Sequence, residues 1–139
     1  MTFQIDSSRA LRTHDQLVEL VELVRAIASA APEDESRAVE WKSSYKDLTA
    51  PDALFAIARA ILGMANRPVT VAAAAFEGVG HVVVGAEPGR LVNQVAPDSA
   101  ELLNALRRYT GHGAPLWDAR SVLVNEVSVV VVTVEPPRD

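Results

Sequence analysis

The feature that most constrains the fold lies at the end of the chain, where two runs, 120–124 and 127–134, are separated only by Asn125-Glu126. Strand-forming runs joined by so short a connection predict an antiparallel hairpin. Upstream, His81-Val82-Val83-Val84-Gly85-Ala86 is apolar at successive positions, so both faces need cover and a central strand is expected. Arg37-Ala38-Val39-Glu40-Trp41-Lys42 alternates by side chain. It reads as a short strand with Glu40 and Lys42 on one face and Val39 and Trp41 on the other.

Helical spacing fills the intervals. Thr13 and Gln16 form a capping box, and Leu17, Leu20, Val21, Val24, Ile27 and Ala28 then recur on one stripe to about Ser29, giving a helix within 13–30. Thr49, with Asp52 three residues on and Pro51 in the first turn, is read as the cap of a second helix. Its apolar face comprises Ala53, Leu54, Ile57, Ala58, Ile61, Leu62 and Ala65, and Asn66-Arg67-Pro68 ends it. Asp98 is expected to cap a third helix running to about Thr110, stopped by Gly111. Residues 1–12 are polar and aperiodic and read as a flexible arm, while 69–76 are read as an irregular or strand-like insertion. The order of elements predicts an α+β fold: a mixed β-sheet packed against about three helices, in one domain over 13–137.

Composition narrows the function classes. With 139 residues the chain is long enough to bury a core, and with no cysteine it has neither disulfides, thiolate zinc sites nor a cysteine nucleophile. No apolar run approaches the ~18 residues of a membrane span, and the first residues lack a signal-peptide pattern, so a cytoplasmic protein with no membrane partner is expected. A net charge of −5 argues against broad binding to phosphates, so contacts with nucleic acid must be local. His14, His81 and His112 are scattered without metal-ligand spacing. Gly78, Gly80, Gly85 and Gly89 match neither phosphate-loop pattern and are read as turn residues, so no nucleotide cofactor is expected.

The densest polar constellation carries a resemblance. Glu35-Ser36-Arg37-Ala38-Val39-Glu40-Trp41-Lys42, then Gly63-Met64-Ala65-Asn66, Gly78-Val79-Gly80, Val83-Val84-Gly85-Ala86-Glu87 and the closing strand into Val134-Glu135-Pro136-Pro137 stand in one order. Together they resemble the Schlafen AlbA-like domain, over about 35–137. Two departures stand out: about ten residues separate Asn66 from the glycines, and Val79 interrupts the glycine pair. The resemblance implies a nucleic-acid-handling module of the kind found in bacterial regulators, and some Schlafen proteins cleave RNA with three acidic residues. Those would map onto Glu35, Glu40 and Glu87. Such a trio suits Mg²⁺ or Mn²⁺, which take carboxylate oxygens and activate water at a phosphate. The blander reading of the same residues is a solvated loop carboxylate, a Glu40–Lys42 pair and a turn decoration.

Lys42 and Asn66 are the further binding candidates on this constellation, and Arg107 and Arg108, with Lys46, Arg67 and Arg90, complete the expected basic surface. Trp41 and Trp117 are read as core residues rather than base-stacking platforms. The leading expectation is a module binding RNA or DNA. A divalent-metal-dependent ribonuclease is the enzymatic alternative, and a degenerate protein-interaction or homo-oligomerising domain, using the apolar stripe of the first helix, is the third.

Overall fold

The computed structural model describes residues 10–27, 39–68, 76–87, 90–111, 116–124 and 126–136. Four strands make the main sheet: β1 (Val39–Lys42), β2 (Gly80–Val84), β5 (Trp117–Val124) and β6 (Val127–Val134), in the order β1-β2-β6-β5. β2 runs parallel to β1 and antiparallel to β6, and β5 and β6 form the expected hairpin, with Val124 opposite Val127. The two inner strands explain the two most apolar runs. Every residue of β2 is buried, as are the last six of β6, because helices cover both faces of the sheet. A second, two-stranded sheet pairs β3 (Ala86–Glu87) with β4 (Arg90–Leu91).

α1 (His14–Ile27) lies on one face, and α2 (Pro51–Ala65) and α3 (Ser99–Thr110) share the other. Leu17, Leu20 and Val21 of α1 pack with Val83, Val129, Val131 and Val122, while Ile57, Ile61 and Leu106 pack with Val82, Val130 and Val132. Alternate side chains of β2 and β6 thus feed two separate cores. The α1 stripe is therefore a core face at Leu17, Leu20 and Val21, its simplest reading from the sequence.

The ends of the elements show where local signals succeed. Gln16 N–H donates to Thr13 Oγ1 (3.2 Å) and Thr13 N–H to Gln16 Oε1 (3.1 Å), so the capping box forms. Thr49 does not cap α2. Its N–H and hydroxyl both donate to Asp47 Oδ1 (2.9 and 2.7 Å), closing a turn before the helix, and Ala50 takes the cap position without a side-chain bond. Asp98 sits at the cap of α3 but makes no side-chain cap bond. Gly111, at φ 86°, ends α3 with its N–H on Arg107 O. β5 begins at Trp117, three residues before the expected start.

The last residues of the expected arm are anchored rather than loose. Leu11 is buried, its carbonyl meets His81 Nε2 at 2.9 Å, and Arg12 holds Glu135 through Nη2 at 2.7 Å. Residues 1–9, 28–38 and 69–75, which include Glu35 and most of the expected insertion, lie outside the described residues. Gly85 breaks β2 from β3 at φ 113°, and a Cβ there would stand 2.7 Å from Val92 O, so the bend demands glycine. Among the described residues no helix is long and apolar enough to cross a membrane.

Candidate functional site

β1 is an edge strand of four residues, and its alternation is what the sequence predicts. Val39 and Trp41 turn toward the α1 side, where both pack on the core, and Glu40 and Lys42 turn toward α2. Lys42 Nζ pairs with Glu40 Oε2 at 2.9 Å, with both side chains partly exposed. Two neighbours at i, i+2 on one strand face are close enough for this, and in so open a setting the pair adds little to stability.

Across from this pair, α2 presents Phe55, Arg59 and Gly63, four residues apart and so on one line along the helix. An open cleft of about 690 Å³ lies between the helix and the strand edge. Beside Phe55 and Arg59 the helix wall is opened by the small residues Ala56, Ala60 and Gly63, and Asn66 also lines the cleft. Phe55 is 58% exposed, which is unusual for a large apolar side chain on a helix whose own core stripe is filled. Arg59 is exposed and makes no hydrogen bond or ion pair with any described residue.

Arg67 lines the same cleft but not as a free cation. It is 8% exposed, its Nε donates to Met64 O and its Nη2 to Gly78 O, each at 2.8 Å. Burial lowers its pKa from the usual arginine value, yet an arginine has ample margin to stay charged. It ties the end of α2 to the turn before β2, which corrects its expected place on an open basic surface. Among the described residues, Lys42, Arg59 and the carbonyl-bound Arg67 thus line the cleft with one carboxylate, Glu40, in a protein whose net charge is −5.

The remaining expected residues go elsewhere. Arg107 and Arg108 are exposed in the last turn of α3, and Arg108 lines a separate groove of about 550 Å³ with Leu54, Glu101 and Asn104. The α2 helix, about 10 Å across, separates it from Lys42, so the expected basic surface is divided between two flanks. Arg90 is spent on Glu87. Glu87 accepts from Ser43 Oγ (2.7 Å) and Arg90 Nη2 (2.8 Å), and these bonds, that of Ser43 first, hold its carboxyl below the usual range. It is not part of the cleft wall that Glu40 lines. Glu35 lies outside the described residues, and among the described ones no three His, Asp or Glu side chains are grouped to hold a metal ion.

Of the other candidates, Trp41 and Trp117 pack against opposite cores, and His81 is fully buried. His112 is outside the described residues and His14 is exposed. Phe55 and Arg59 were not singled out by the sequence. Their signal was present in it: a phenylalanine and an arginine one helical turn apart, both off the apolar stripe of α2.

Fold and site together define an α+β domain with an open, cation-bearing cleft beside the edge strand of its sheet. Comparison with protein-family models, with curated proteins and with solved structures gives no match.

Proposed function

We propose that this domain binds nucleic acid in single-stranded form, as a module of the Schlafen AlbA-like kind, through the cleft between β1 and α2. The observation that carries the reading is the placement of exposed Arg59 and Phe55 on one line of α2, facing Lys42 across open space. Cations meet phosphates, an exposed aromatic ring offers a face to a base, and an unpaired strand is the nucleic acid whose base faces are accessible. Placing Lys42 and Arg59 on the two walls of one cleft also gives a local phosphate site in a protein of negative net charge.

Fluorescence anisotropy with a labelled oligouridylate and oligothymidylate tests this. If Lys42 and Arg59 neutralise two phosphates, log K falls with log salt at a slope of about −1.4, and Arg59→Ala brings the slope to about −0.7. Phe55→Ala should cost ~1–3 kcal/mol of binding. A slope unchanged by Arg59→Glu would overturn the cleft as the binding surface. Glu40, the carboxylate of the expected trio that stands in this cleft, carries the enzymatic alternative: Mn²⁺-dependent cleavage of RNA, abolished by Glu40→Gln with binding retained, would shift the reading to a ribonuclease.

A further inference from the structure

Among the described residues β5 is the other edge of the sheet, and its hydrogen-bonding parity can be read from the backbone. Gln94 N–H donates to Ser128 O and Ser128 N–H to Asn93 Oδ1, so Ser128 directs its polar groups away from β5. Alternate residues of a strand point their N–H and C=O to opposite sides. The odd residues of β6 therefore bond β5, and their partners in the register are the even ones: Val122 opposite Val129, Arg120 opposite Val131, Asp118 opposite Thr133. Glu135 N–H on Leu116 O continues the same ladder. Trp117, Ala119, Ser121 and Leu123 are left with their N–H and C=O turned to the open edge, and among the described residues these groups have no partner.

An eight-residue edge carrying no proline, lysine or bulge is a template for another strand. Two further observations say which strand. On the α3 side, a groove of about 440 Å³ borders the edge, with Ala96, Pro97, Leu102 and Leu103 on its far wall and Asp118, Ala119, Arg120 and Ser121 of the strand itself on the near one, so the space beside Ala119 is open. On the α1 side, Asp118 and Arg120 are both exposed, with opposite charges two residues apart.

We propose that β5 pairs antiparallel with β5 of a second copy of this chain about a two-fold axis at Ala119, joining the two four-stranded sheets. In that register Ala119 faces Ala119 of the copy, Trp117 faces Ser121, and the odd residues supply about six backbone hydrogen bonds, two for each pair. Asp118 then stands opposite Arg120 twice. These are the pairs without mutual backbone bonds, whose Cα atoms approach to about 4.5 Å, so the opposite charges meet at short range. Moving the axis to Arg120 sets two arginines face to face, and moving it to Ser121 sets Arg120 against Val122. The self-complementary charge selects a second copy over an unrelated peptide, and the closed two-fold arrangement uses the edge up.

Sedimentation equilibrium on the full chain tests this, with melting curves confirming that each variant folds. The wild type should associate as a dimer. Ser121→Pro removes an outward N–H and the hydroxyl contact with Ser128 (3.0 Å) but no backbone bond of the ladder to β6, and should weaken association at least tenfold. Arg120→Asp and Asp118→Arg should each weaken it similarly, and the double exchange Asp118→Arg/Arg120→Asp should restore it to within about threefold of wild type. A wild type that stays monomeric at every concentration, a dimer indifferent to Ser121→Pro, or a double exchange no tighter than the single variants would each overturn the proposal.

Discussion

His81 and Arg67 are two buried cationic or titratable side chains whose surroundings bear on the stability of the fold. His81 is buried in β2 with its Nε2 on Leu11 O, and burial pushes its pKa below the ordinary histidine value, with Arg12 and Arg67 adding to the depression and Leu11 O and Glu135 opposing it. The unfolded chain, with an ordinary value of about 6.5, then binds a proton more readily than the folded one. Stability is therefore full above that value and falls as pH drops below it, by at most about 1.4 kcal/mol per pH unit for this one group. Urea midpoints measured from pH 7.5 to 5 should decline, and His81→Gln should flatten the decline. An equal slope in the variant would show that other groups produce it. Arg67 donates to two backbone carbonyls, Gly78 O and Met64 O, the second of which also accepts the Arg67 backbone N–H at 3.3 Å. Arg67→Ala should cost about 2–4 kcal/mol in urea unfolding, because the buried acceptors lose charged donors. Arg67→Lys should recover less than half, since one ammonium does not reproduce the guanidinium fork.

Among the elements, α1 carries a clear test of where its apolar stripe goes. Leu20 is fully buried between α1 and the sheet, so Leu20→Ala should destabilise the isolated domain by about 2–5 kcal/mol. A loss under 1 kcal/mol, read from denaturant unfolding, would mean the stripe serves a partner after all. The strands and helices were legible because each has a period of its own: unbroken valine runs in β2 and β6 for strands covered on both faces, and alternation in β1 for a strand at the edge. Alternation alone also puts Glu40 and Lys42 on one face of β1. The β3–β4 pair was not legible, since strands of two residues are too short to show a period. The cap of α2 was misread because Thr49 had two acceptors to choose from, and only the folded turn shows that Asp47 takes its hydroxyl. The division of the basic residues between two flanks of α2 depends on how α2 and α3 share one face of the sheet, which no local pattern encodes. Arg59 gained its place for the same reason: its significance comes from β1 lying beside it.

At the scale of the whole molecule, a protein of net charge −5 offers two places where cations of the expected basic surface meet solvent, Lys42 with Arg59 in the β1–α2 cleft and Arg107 with Arg108 at the end of α3. A single strand drawn by charge alone would be held weakly at both. One drawn by charge and stacking together would settle where Phe55 stands beside Arg59. The most direct test is a titration of the ¹⁵N-labelled protein with a short oligouridylate, followed by amide chemical shifts at low salt. The account predicts that the largest changes fall on Lys42, Phe55, Arg59, Gly63 and Asn66 and vanish in the Phe55→Ala/Arg59→Glu variant. Changes confined to Arg107 and Arg108, or an unperturbed cleft at saturating oligonucleotide, would contradict it.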